Sequence, residues 1–219
     1  MNSPKLESLN DDEMVYHAEP HYVGEILAIQ QLNDLNITID QKRKSFMGYP
    51  CNASFRLEKF FEWWSKSSLS KSPLNDVGNP YSTSGYALNT RSFETSVLKY
   101  FADLYSLQSH WGYITSGGTQ GNEQGLYMGR NILENYGKPI LYFSEEAHYS
   151  IRSLAKVLGL EVRIIEAVPQ GEMDYDDLKN KIEPERPALF SLSIGTTFKG
   201  AIDRIEIVEQ IVREKEIKH

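Results

Sequence analysis

Three short stretches carry side chains able to do chemistry, and each follows a strand-like run. The first is Thr115-Ser116-Gly117-Gly118-Thr119-Gln120-Gly121-Asn122, two adjacent glycines flanked by hydroxyls at the start of a helix-like run. Glycine lets the backbone approach a ligand closely. A helix start adds unpaired N–H groups and a partial positive charge. Such a turn suits an oxyanion, above all a cofactor phosphate, although a plain strand-to-helix connection has the same composition. It is neither G-x-G-x-x-G nor a P-loop, since no Lys-Ser or Lys-Thr follows, so classical dinucleotide and nucleoside-triphosphate sites lose ground.

The second stretch is Ser144-Glu145-Glu146-Ala147-His148-Tyr149-Ser150, directly after the apolar run Ile140–Phe143. Ligands of open α/β sheets collect beyond the carboxyl ends of strands, and a histidine there can stack on a flat ring or move a proton. A helix-capping loop histidine is the plainer alternative. The third is Ile194-Gly195-Thr196-Thr197, after Leu189–Ser193, whose hydroxyls would face the same edge unless they serve only the turn. Lys199 invites a Schiff-base role, but a solvated loop lysine fits it better. Asp203 could cap the last helix or position a loop, and the cap is the expectation. Trp63 and Trp64 read as helix packing. His17, His21 and His110 lack ligand spacing and Cys51 has no cysteine partner, so no metal site is assigned.

The elements needed to position these residues are legible as alternation. Strands are predicted at 111–116, 139–143, 161–167 and 188–193, with helices at 120–136, 149–158, 174–182 and 203–217. Gly137 and Gly159 sit where helix C-caps are expected, and Asp174 is placed to start a helix. This pattern predicts an α/β layer on a largely parallel sheet. Upstream, Phe93, Val97, Phe101, Leu104 and Tyr105 recur at helical spacing over 90–107. A helix over 55–67 would bury Phe55, Leu57, Phe60, Phe61 and Trp64. Residues 68–84 read as a loop, and a weakly periodic helix lies around 22–32. The domains expected are an N-terminal arm with helices over 1–75 and an α/β domain over 76–219.

The chain has 219 residues, 40% apolar and 24% charged, with a net charge of −7. That is ordinary globular composition, and it argues against a nucleic-acid role. One cysteine excludes an intrachain disulfide. The polar, acidic start does not read as a signal peptide, and no apolar run reaches the ~20 residues of a membrane span. The expectation is a cytoplasmic protein.

Together, WGYITSGGTQGN, LYFSEEAHYS, GEMDYDDL and IGTTFKGAID resemble the group II pyridoxal-phosphate-dependent amino-acid decarboxylases, in the branch of bacterial histidine decarboxylase and plant serine decarboxylase. Gly48-Tyr49-Pro50 and Asn89–Glu94 also fit. The resemblance implies fold type I, the aspartate-aminotransferase-like architecture, and a homodimer. It also implies pyridoxal 5′-phosphate, with Ser116, Gly117, Gly118 and Thr119 on the phosphate, His148 stacked on the ring and Thr196 beside ring and substrate. His148 and Thr196 would be the catalytic pair, and Tyr49 and Pro50 would line the substrate entrance.

Two departures stand out within the motifs: Gln120 replaces the family's usual glutamate, and Glu123 stands where an apolar residue is common. A third concerns extent. The family's His-x-Asp-Ala and Ser-x-His-Lys segments, which supply the aspartate for the pyridine nitrogen and the lysine that binds the cofactor covalently, find no match in residues 1–219, nor does its small C-terminal domain. The expectation is therefore the N-terminal part of a decarboxylase acting on an amino acid, inactive alone and completed by a C-terminal chain. A non-catalytic dimerising remnant and another fold-type-I enzyme are the alternatives.

Overall fold

The computed structural model describes residues 25–48 and 56–219. The chain divides into two units, Met1–Ser72 and Pro73–His219. The first contains α1 (Glu25–Arg43), α2 (Glu58–Lys66) and a 3-10 turn over Ser68–Lys71. None of the α2 residues is buried. Phe60 stacks on Trp64 with ring centroids 5.8 Å apart, while Leu57, Phe60 and Phe61 remain exposed. The expected burial of this helix is thus corrected: its rings meet one another rather than a core. Phe55 lies outside the described residues.

The second unit holds α3 (Arg91–Leu104), α4 (Gly118–Leu133), β1 (Ile140–Ser144), α5 (Tyr149–Val157), β2 (Glu161–Ile165), α6 (Tyr175–Lys181), β3 (Ala188–Ser191) and α7 (Ile205–Glu214). The three strands form a parallel sheet in the order β2-β1-β3, with Ile140 opposite Glu161 and Ala188. The central strand reads Ile-Leu-Tyr-Phe-Ser without alternation, the signature of a strand covered on both faces, and all five residues are buried. Its side chains still alternate in direction. Ile140 and Tyr142 join Met173, Leu178, Val208, Ile211 and Val212 from the α6/α7 layer. Leu141 and Phe143 join Leu126, Ile151, Leu154 and Ala155 from the α4/α5 layer. Truncating any one of these large side chains to alanine would cost about 2–5 kcal/mol.

Caps follow the sequence where a side chain has a local target. Asp174 accepts from the N–H groups of Asp176 and Asp177 at the head of α6. Gly159, at φ 65, closes the turn after α5. One expectation fails. No strand forms over 111–116, because the segment finds no ladder: the Ile114 N–H donates to the Glu94 carboxylate at 2.8 Å instead. The apolar stripe of α3 is periodic but not buried, with Phe93 70% and Leu104 61% exposed.

Candidate functional site

The order β2-β1-β3 creates a crevice. The chain leaving β1 enters α5, which packs on one face of the sheet, whereas the chain leaving the neighbouring β3 runs on to α7 on the other face. Adjacent parallel strands whose connections part to opposite faces leave a gap at their carboxyl ends, where ligands of open α/β sheets bind. Here the gap is a cleft of about 220 Å³. One wall is Ala147, His148 and Ile151, the other runs from Ser191 to Thr197, and Asn122 from the first turns of α4 closes it. His148 and Thr196, far apart in sequence, are therefore brought to one cavity.

His148 is the N-cap of α5, its side chain accepting the Ser150 N–H. The capping alternative thus describes one edge of the ring, while the ring also borders the cleft. Its centroid lies 4.3 Å from that of Tyr149.

Thr196 belongs to a tight hairpin in which Ile194 bridges Ile202. Its N–H donates to the Ala201 carbonyl at 2.9 Å, and its Oγ1 accepts the Ala201 N–H at 3.1 Å. Thr196 is buried, and its hydroxyl proton stays available to donate.

Asp203 does not cap α7, which begins after Arg204 with no side-chain cap. The buried carboxylate instead accepts the N–H groups of Met173 at 2.8 Å and Ser193 at 2.7 Å. The helix-cap expectation is corrected for a physical reason: the amides of two neighbouring loops converge on this largely buried carboxylate. Beside it, the Tyr175 hydroxyl accepts the Arg204 N–H at 2.6 Å. Burial pushes the Tyr175 phenol up, so it stays neutral at ordinary pH.

The Ser116–Thr119 turn is exposed at the start of α4, apart from the residues that line the cleft. The amides of Gly117, Gly118 and Thr119 have no hydrogen-bond partner among the described residues, as expected of a helix start. A Cβ at Gly117 or Gly118 would meet nothing within 4 Å. Ser116 is held from below, its N–H and hydroxyl both donating to Gln120 Oε1, at 2.9 and 3.1 Å.

Lys199 pairs with Glu146 at 2.7 Å, tying the β3 hairpin to the loop after β1. Tyr49 and Pro50 lie outside the described residues. Two residues escaped assignment from sequence: Asn122, whose amide reaches Ser150 Oγ at 3.0 Å, and Ser150 itself. The signal for Ser150 was its place two residues after His148, the spacing at which a capping side chain meets a backbone N–H.

The fold is that of the large α/β domain of fold type I pyridoxal-phosphate enzymes. The chain aligns with L-methionine decarboxylase from Streptomyces sp. 590 at TM-score 0.73 and 22% identity, covering 88% of this chain and 49% of that one. A sphingosine-1-phosphate lyase from Burkholderia pseudomallei K96243 aligns at TM-score 0.55 and 13% identity, covering 99% and 48%. Residues 127–219 match the pyridoxal-dependent decarboxylase conserved domain.

In sequence the chain is similar to histidine decarboxylases. It is 39% identical over 175 residues to that of Pseudomonas fluorescens, covering 77% of this chain and 40% of its relative. With the histidine decarboxylase of Solanum lycopersicum it shares 37% identity over 177 residues, covering 79% and 41%. The chain therefore spans about two fifths of the length of these relatives. The cofactor of this family is pyridoxal 5′-phosphate.

Proposed function

We propose that this chain supplies the cofactor-holding face of a pyridoxal-phosphate-dependent amino-acid decarboxylase whose substrate is histidine. The observation that carries the reading is the cleft at the β1/β3 carboxyl ends, with His148 on one rim and Thr196 on the other. The turn at the head of α4 fits a phosphate: three successive amides lack partners, and the space above Gly117 and Gly118 is open. Ser116, Gly117, Gly118 and Thr119 would hold the phosphate, His148 would lie against the pyridine ring, and Thr196 would offer its hydroxyl proton nearby. Bound pyridoxal phosphate supplies the electron sink for loss of carbon dioxide from an amino acid.

The protein's share is to anchor, orient and exclude water. The α4 amides and dipole bind the dianion. Ile151 and Leu192 add apolar surface to the cleft that His148 and Thr196 line. The Asp203 carboxylate fixes the hairpin that carries Thr196.

A homodimer fits the exposed stripe of α3, where Phe93, Val97, Tyr100, Phe101 and Leu104 present a contiguous apolar face to solvent. Sedimentation velocity should give twice the chain mass. A cytoplasmic location agrees with a single cysteine, and among the described residues no helix is long and apolar enough to cross a membrane.

The activity is tested by following carbon dioxide release from carboxyl-labelled histidine by the whole protein with added pyridoxal phosphate. Turnover that falls at least about 100-fold in His148→Ala supports the reading, on the scale of a positioned acid–base group. Turnover indifferent to that substitution refutes it.

A further inference from the structure

Resting on the site proposed above, we infer that Ser150 and Asn122 are positioning residues that hold His148 as the neutral tautomer with its proton on Nε2. The Ser150 backbone N–H lies 3.3 Å from His148 Nδ1 and can only donate. At that length the bond is weak, so it biases Nδ1 toward presenting its lone pair and leaves the closer hydroxyl to fix the choice.

The Ser150 hydroxyl lies 2.8 Å from the same nitrogen. Against an unprotonated Nδ1 it has to donate, which uses the hydroxyl's one proton and leaves Oγ an acceptor toward everything else. The remaining neighbour, the Asn122 side chain at 3.0 Å, must then turn its NH2 toward Oγ. Hydrogen-bond direction thus runs Asn122 to Ser150 to His148 without a reversal, and it fixes the Asn122 amide as well.

Burial makes the arrangement firm. Ser150 is 1% exposed, so no water competes for its hydroxyl. A neutral imidazole with Nδ1 as acceptor carries its proton on Nε2. Nε2 has no hydrogen-bond partner among the described residues, while the ring lines the cleft. The site therefore meets an N–H donor at His148, one able to bind an anionic oxygen or release a proton, rather than a lone pair able to take one.

The test is long-range proton–nitrogen NMR on the 15N-labelled full chain, with the His148 ring signals assigned from their loss in His148→Gln. The expected pattern at neutral pH is an unprotonated Nδ1 and a protonated Nε2. Asn122→Asp keeps the side chain's shape but turns the Ser150 hydroxyl toward the carboxylate, so the Nδ1–H population should rise. Ser150→Ala should give a mixture of tautomers, and Ser150→Thr should restore the single pattern. A proton on Nδ1 in the unsubstituted chain overturns the inference, as does a pattern unchanged in both Asn122→Asp and Ser150→Ala. Binding of pyridoxine 5′-phosphate, measured by calorimetry on the same samples, reports on the cofactor site separately: absent binding counts against that site, whereas a wrong tautomer with normal binding counts only against the relay.

Discussion

The Asp203 carboxylate accepts the Ser193 N–H at 2.7 Å, so a buried charge ties down the base of the hairpin bearing Thr196. Its other oxygen holds the Met173 N–H, which links the loop before α6 to the same anchor. Asp203→Ala would leave two buried amides without acceptors. The expected cost is about 3 kcal/mol, since charged acceptors and unsatisfied amides are each worth one to three. Asp203→Asn should cost less, keeping one acceptor while setting NH2 against a donor. Urea unfolding of the three proteins checks the order.

Acid should weaken the unit at the edge of its sheet. Glu161 sits below its ordinary carboxylate value of 4.5, first through its hydrogen bond to Arg186 and then through Arg163. Glu183 completes the cluster by pairing with Arg163 at 2.5 Å. A depressed folded-state value contributes stability above 4.5 that disappears as pH falls through the folded-state value. Unfolding midpoints of wild type and Glu161→Gln should therefore differ at neutral pH and low salt and converge on acidification. A gap that widens in acid contradicts the assignment.

Gln120 Oε1 gathers both donors of Ser116. The bond lands one residue before the N-cap Gly117, so it is not a capping box, but it likewise needs an acceptor and not a charge. Gln120→Ala should lower stability by about 1 kcal/mol, and Gln120→Glu should retain it. Thermal unfolding distinguishes the two.

Sequence patterning located every strand of the sheet because β1 and β3 are short, mostly apolar runs, β2 alternates as Glu-Val-Arg-Ile-Ile, and helical spacing separates them. It failed over 111–116, where Trp-Gly-Tyr-Ile-Thr has strand-like residues but the Ile114 amide finds a side chain instead of a neighbouring strand. Periodicity also describes which face of α3 is apolar without saying what covers it, and Phe93 is left in solvent. The glycine turn and His148 were visible by residue type. Asp203 was misplaced because a carboxylate just before a helix looks like a cap, while its real partners, Met173 and Ser193, lie 30 and 10 residues away. Asn122 was hidden for the same reason: its bond to Ser150 exists only once α4 and α5 pack side by side.

The central claim is that the head of α4 binds the cofactor's phosphate, and calorimetric titration with pyridoxine 5′-phosphate tests it most directly. This probe keeps the ring and phosphate but has no aldehyde to react with surface lysines. The account predicts saturable binding, at least about tenfold weaker for pyridoxine lacking the phosphate, a loss of about 1.4 kcal/mol or more. It also predicts that Gly118→Asp, which puts a carboxylate into the open space above the unpaired amides, abolishes the difference. Equal affinity for the two ligands, or phosphate-dependent binding that survives Gly118→Asp, would contradict it.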